Sequence, residues 1–269
     1  MGYAQPRQDT GGIHTRLHSR SVIIYDTFSK NRIVFVTTEL CAFTDIAKIL
    51  VIQKLSELYG SKIYRDDNIM LTASHTHSGP GGYFQYLLYL ITSEGYQSSS
   101  LMAIVDGVVL SITRAHKNLQ PGKIKYSEGE LLKASINRSP TAYLNNPQSE
   151  RDLYKYDLDK TMQVLRFEDY NGNPIGLIDW FPVHCTSMNN TNKLISSDNK
   201  GYASMKFEKS FNSNYYELEN RKFIALFAQT NEGDSSPNTM GAKCQNSGLP
   251  CDIHTSTCPK KVNNKFLIF

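Results

Sequence analysis

Asn68-Ile69-Met70-Leu71-Thr72-Ala73-Ser74-His75-Thr76-His77-Ser78-Gly79-Pro80-Gly81-Gly82 is the stretch around which the chain is organised. Its apolar start predicts a buried strand, and its glycine-proline end predicts a loop. Residues i and i+2 of extended backbone point to one face, so His75 and His77 are expected to look into one cleft at the strand's C-terminal end. That edge is where many sheet proteins bind ligands. An H-x-H pair alone fits a hydrogen-bonded pair of loop histidines equally well, so further ligands decide its meaning.

Upstream, Arg20–Tyr25 and Arg32–Thr37 are β-rich runs joined by a short polar loop, a hairpin pattern. Thr44-Asp45 opens a helix with Ala47, Val51, Leu55 and Leu58 on one stripe and Gly60 as its stop. Downstream, Tyr83–Ile91 reads as helix or buried wall. Ser98-Ser99-Ser100 starts a helix whose stripe is Leu101, Ile104, Val105, Val108, Ile112 and Ala115. Lys123–Tyr126 is strand-like, and a tyrosine-rich surface loop runs to about Asp159. A second hairpin joins Met162–Phe167 to Ile175–Phe181 through Asn171-Gly172, and ends at Pro182-Val183-His184. Ser197-Asp198 caps a helix through Phe207, and Lys222–Phe227 is a buried-type strand leading to Asn231. The fold class is α/β, a layered mixed β-sheet flanked by helices. The strand ends before His75, His184 and Asn231 are expected to converge on one edge.

Composition narrows the function classes. The 269 residues are 40% hydrophobic and 20% charged, with net charge +4. The basic residues are scattered, which argues against nucleic acid. No run of about twenty apolar residues stands out. The N-terminus shows no signal-peptide h-region, and Pro6 occupies the position where a myristoylation signal needs Ser or Thr. Of five cysteines, Cys41 and Cys185 lie in core-like segments. Cys244, Cys251 and Cys258 form C-x6-C-x6-C in a polar loop, a spacing that suits disulfides better than zinc and leaves one thiol unpaired.

His184 can join His75 and His77 as a zinc ligand from a second strand, with Thr76, Ser78, Thr186 and Ser187 as ring-orienting partners. Zinc would suit amide or ester hydrolysis. Gly233-Asp234-Ser235-Ser236-Pro237-Asn238 is not a G-x-S-x-G elbow, and by itself reads as an Asx-type turn. Arg138 is either a solvated arginine or a donor to a carboxylate or oxyanion. His14, His18, His116 and His254 have no comparable context. Asn137 and Asn189 head glycosylation sequons beside the suspected site loops.

Taken together these segments resemble the neutral ceramidase family. The resemblance is carried by Met-Gly-Tyr-Ala at 1–4, Thr-His-Ser-Gly-Pro-Gly-Gly-Tyr at 76–83, Ile-Asn-Arg-Ser-Pro at 136–140 and Tyr-Leu-Asn-Asn-Pro-Gln-Ser-Glu-Arg at 143–151. It continues through Trp-Phe-Pro-Val-His at 180–184, Ser-Met-Asn-Asn at 187–190, Ser-Asp-Asn-Lys-Gly-Tyr-Ala-Ser at 197–204 and Gly-Asp-x-Ser-Pro-Asn at 233–238. The resemblance implies zinc-dependent cleavage of ceramide to sphingosine and a fatty acid. It implies His75 and His184 as zinc ligands, His77 as a neighbouring active-site histidine and Arg138 as a substrate or transition-state contact. Ser236 is implied as nucleophile, with a zinc-bound water as the competing attacking group. It further implies a ceramide-bearing membrane surface as the working place and a secreted or cell-surface location.

The family pattern also includes a Glu and a Tyr zinc ligand, expected outside this chain. Residues 1–258 therefore read as a single incomplete catalytic domain, followed by a divergent tail at 259–269. The unpaired third cysteine agrees, since the resemblance puts its partner just beyond. The expectation is impaired activity for the chain alone. A catalytically inactive truncated paralogue that binds lipid or a partner is the alternative.

Overall fold

The computed structural model describes residues 2–217, 221–244, 247–252, 255, 257 and 258. The expected tail at 259–269 and His254 lie outside the described residues.

After a two-residue strand β1 (Gly12–Ile13), the expected first hairpin is formed by β2 (Ser19–Tyr25) and β3 (Arg32–Thr38). Helix α1 (Asp45–Tyr59) starts where the Thr44 hydroxyl accepts the Ala47 N–H at 3.2 Å. It stops at Gly60, whose φ of 83° is one that a side chain resists. Ala47, Val51 and Leu55 are buried, but Leu58 is 60% exposed and does not belong to the stripe. Strand β4 (Ile69–Ala73) then lies parallel to β3.

The segment read as helix or buried wall divides. Tyr83 and Phe84 are buried, whereas the short helix α2 (Leu87–Thr92) turns Leu87, Leu88 and Ile91 to solvent. Helix α3 (Ser98–Lys117) buries Leu101, Val105, Val108, Val109 and Ile112, and its serines form the first turn behind Gln97 as N-cap. By length and composition alone α3 would pass as a membrane span, contrary to the expectation from apolar runs, but its stripe packs into the core.

Strand β5 (Gly122–Glu130) is followed by β6 (Ile136–Asn137) and by two short helices in the tyrosine-rich stretch, α4 (Pro140–Leu144) and α5 (Gln148–Arg151). The second hairpin is β7 (Thr161–Asp169) with β8 (Pro174–Trp180). The rest is β9 (Leu194–Ile195), helix α6 (Asp198–Phe211), β10 (Ile224–Ala228) and β11 (Ser235–Ser236).

The α/β class holds, with the strands divided between two principal mixed sheets of order β2-β3-β4 and β10-β8-β7-β5. Alternation explains how they stack. Val34 and Val36 face α1 and α3, where with Leu55, Val105 and Ile112 they form the larger core. Val22, Ile24 and Phe35 face the other way and meet Phe167, Ile178 and Leu226 of the second sheet. Each fully buried aliphatic side chain contributes about 1.5–3 kcal/mol.

A buried ion network ties the sheets at their edge. Arg20 of β2 forks onto Glu208 of α6 at 2.7 and 3.1 Å and reaches Glu39 at 2.5 Å. Because β8 and β10 are parallel, the loops that follow them leave from the same end.

Candidate metal centre

Three loops meet at that end. An isolated parallel bridge joins Thr76 to Cys185, and the His77 N–H donates to the Cys185 carbonyl at 3.1 Å. The loop after β4 and the loop after β8 are thus fixed side by side through their backbones. The His184 N–H donates to the Ser235 carbonyl at 3.0 Å, which brings in the loop after β10.

His75, His77 and His184 converge. Their ring centroids are 4.7, 4.8 and 5.3 Å apart, and one donor nitrogen from each lies within 4.8 Å of the others. Convergence of the pair does not come from strand alternation, as expected from the i, i+2 spacing. Strand β4 ends at Ala73, and His75 adopts a left-handed backbone with φ of 66°. That conformation is uncommon outside glycine, and a turn there aims the ring inward.

Backbone carbonyls orient two of the rings. His75 Nδ1 lies 2.6 Å from the Cys41 carbonyl and His184 Nδ1 lies 2.8 Å from the Glu232 carbonyl. Each Nδ1–H is therefore the donor, and each Nε2 is left as the acceptor that a metal needs. Three of the four hydroxyls expected to do this serve elsewhere. Thr76 Oγ1 donates to the Ser196 carbonyl, Ser78 Oγ accepts from Asn192, and Ser187 Oγ accepts from Asn199.

His77 differs from the other two. Its Nε2 lies 3.1 Å from His75 Nε2, while its buried Nδ1 has no hydrogen-bond partner. Tyr3 meets its ring edge-on at 4.7 Å, and a Cβ on Gly2 would come within 2.5 Å of the ring. A glycine at that position lets the N-terminal backbone close over the site.

Burial is the main reason all three imidazoles are held below the ordinary histidine range, His77 at about 3 and His184 at about 4. Their mutual proximity and the Arg138 charge act in the same direction. A neutral imidazole is the form that ligates metals. Metal–imidazole bonds of about 2.0–2.1 Å in tetrahedral geometry separate neighbouring nitrogens by about 3.3 Å. The Nε2 atoms of His75 and His77, 3.1 Å apart, match that spacing, and a donor nitrogen of His184 lies within 4.8 Å of the other rings' donors, so the three-imidazole set fits a divalent transition metal.

Arg138 follows β6, exposed at the rim, with its N–H on the Asp234 carbonyl at 2.8 Å. Its charge is felt by all three histidines. Ser236 of β11 is buried opposite Ile136, and its hydroxyl accepts the Asn238 N–H at 3.1 Å rather than meeting an imidazole. Asn137, head of the first sequon, is buried and donates to the Asp157 carbonyl.

Glu232 received no role from the sequence. Its carboxylate Oε1 is 3.9 Å from His75 Nδ1, and its Oε2 is buried without a partner. Burial pushes its carboxyl up to about 8, with Lys200 and Arg138 opposing. An acid four residues past the end of a buried strand was the available signal. His14, His18 and His116 instead pair with Ser196, Glu39 and Tyr64.

Away from this centre, Cys244 and Cys258 form a disulfide, leaving Cys251 free as the odd count requires, and Cys185 is fully buried.

Fold and site define a mixed α/β protein with a three-histidine candidate metal centre where strand ends from two sheets meet. The family described as neutral/alkaline non-lysosomal ceramidase, N-terminal, matches residues 1–267, and the chain belongs to it. Neutral ceramidase A of Dictyostelium discoideum is 50% identical over 262 residues, covering 97% of this chain and 36% of the relative. Neutral ceramidase of Drosophila melanogaster is 43% identical over 259 residues, covering 96% and 36%. A solved structure described as ceramidase complexed with C2 superposes with a TM-score of 0.82 at 43% identity, over 93% of this chain and 37% of that one. The crystal structure of neutral ceramidase from Pseudomonas aeruginosa gives 0.81 at 43%, over 94% and 38%. The chain thus spans little more than a third of the relatives it matches.

Proposed function

We propose that this chain carries part of a zinc-dependent site that hydrolyses the amide bond of ceramide to give sphingosine and a fatty acid. The observation that carries the reading is the meeting of three imidazoles, two buried and one half-buried, from two loops more than a hundred residues apart. His75 and His184 are the proposed ligands, because their Nδ1 atoms are tied to backbone carbonyls, which leaves each Nε2 as the lone-pair nitrogen. Zinc bound there would supply Lewis-acid polarisation of the amide carbonyl. His77 is a neighbouring contact for substrate. Arg138 offers a guanidinium to the oxygen on which negative charge develops. The Ser236 hydroxyl is the proposed attacking group; accepting the Asn238 N–H occupies one of its lone pairs and leaves the other for the substrate carbonyl.

Among the described residues the mutually close donor set holds imidazoles and no carboxylate. This supports weak zinc affinity and impaired turnover for the chain alone. Ceramide is a membrane lipid, so the working place is a bilayer surface. An extracellular location agrees with the Cys244–Cys258 disulfide, since such bonds persist in oxidising compartments.

The test is release of fatty acid from ceramide by the purified chain after chelation and after zinc is restored. Weak, zinc-restored turnover, faster than on an acyl-amino acid, is expected. Turnover indifferent to zinc would sink the site reading, and robust turnover would sink the claim of impairment.

A further inference from the structure

We infer that Glu232 is a positioning residue that holds both proposed ligand histidines, its main chain fixing His184 and its carboxylate supporting His75. The inference rests on the zinc reading above and adds to it a residue that the reading leaves unassigned.

Three observations carry it. The Glu232 carbonyl accepts the His184 Nδ1–H at 2.8 Å, setting tautomer and ring direction. The carboxylate of the same residue stands 3.9 Å from His75 Nδ1, the ring nitrogen that carries the proton. The His75 Nδ1–H already donates to the Cys41 carbonyl at 2.6 Å, so the carboxylate acts on the ring through charge rather than as its hydrogen-bond acceptor. The third is a cost without a structural return. Glu232 Oε2 is buried and makes no hydrogen bond, an arrangement that destabilises the metal-free chain.

A dication bound by His75 adds to the Lys200 and Arg138 charges that already act on this buried carboxyl group, and favours its ionised form. A negative group behind a ligating imidazole raises its basicity, and removing such a partner costs about 10–100-fold in metal affinity. Glu232 lies outside the set of mutually close donor atoms, which suits a supporting group rather than a direct ligand.

The experiment measures zinc affinity of the full 269-residue chain by competition with a chromophoric chelator, beside thermal melts of the metal-free proteins. Glu232→Gln keeps shape and removes the charge, and Glu232→Met removes the polar group altogether. Both variants are expected to bind zinc at least about tenfold more weakly while their metal-free melting temperatures equal or exceed that of the parent. A purely structural role would lower the melting temperature and leave affinity alone. Affinity within twofold of the parent in either folded variant overturns the inference while the zinc site stands. A parent chain that binds no zinc overturns the inference and the site reading together.

Discussion

Removing the Glu208 carboxylate should loosen the joint between the two sheets, and with it the site that spans their ends. Glu208 is fully buried on α6. Its two oxygens accept the Arg20 fork at 2.7 and 3.1 Å, Oε1 also accepts the Ala225 N–H at 3.1 Å, and Arg221 approaches Oε2 at 3.5 Å. Burial works against the Arg20 charge, yet Glu39 and Glu208 hold that guanidinium above its ordinary range. Glu208→Ala therefore leaves Arg20 with Glu39 alone, deletes an acceptor at the start of β10 and strips Arg221 of a partner. Breaking a buried pair in this one-sided way costs about 3–5 kcal/mol. For a chain of this size that is a fall of roughly 10 °C in melting temperature. The assay is urea unfolding of Glu208→Ala, of the single variants Glu208→Met and Arg20→Met, and of the double variant that combines those two methionine substitutions. The double variant should lose less than the sum of the singles, because apolar side chains of similar volume replace the pair without an orphaned charge. A loss below about 1 kcal/mol for Glu208→Ala, or strict additivity, would refute the view that this network fastens β2 to β10.

Three further outcomes follow from the same geometry. Leu55→Ala opens a cavity in the core between the first sheet and its helices and should cost about 2–5 kcal/mol, whereas Leu58→Ala, on the exposed side of the same helix, should stay within about 0.5 kcal/mol, both by urea unfolding. Asp179 is buried with both oxygens unpaired and Lys200 3.9 Å away, and burial raises its carboxyl to about 6. Its folded pKa lies above the unfolded value, so the cost of ionising it is absent below about pH 4 and is complete above pH 6. The parent should lose about 3 kcal/mol across that window relative to Asp179→Asn, and parallel stability curves would contradict this. His184→Ala should abolish zinc binding in a chelator-competition titration while keeping the far-UV circular dichroism, since the ring lies at a loop end.

Much of this architecture is local and therefore legible. The hairpin of β2 and β3 and the α1 boundaries at Thr44 and Gly60 follow from alternation, capping and turn chemistry over a few residues. The exposure of Leu58 and of α2 was not legible, because periodicity finds an apolar face without saying what stands opposite it. At the site, His75 and His184 could be named from their strand-end positions and from the family resemblance. What aims them could not. The left-handed turn at His75, the carbonyls of Cys41 and Glu232 and the Thr76–Cys185 bridge arise from contacts between segments far apart in sequence. Serine and threonine neighbours looked like natural orienting groups, yet backbone carbonyls took that role. The Glu232 carboxylate shows the same limit, since nothing within its own segment reveals that His75 will arrive beside it.

The most direct test of the account is an anomalous-difference map at the zinc edge from crystals of the chain grown with zinc. The account predicts one strong peak within bonding distance, about 2.0–2.1 Å, of the Nε2 atoms of His75 and His184. No peak there, or zinc held only at the Cys251 thiol, would contradict it.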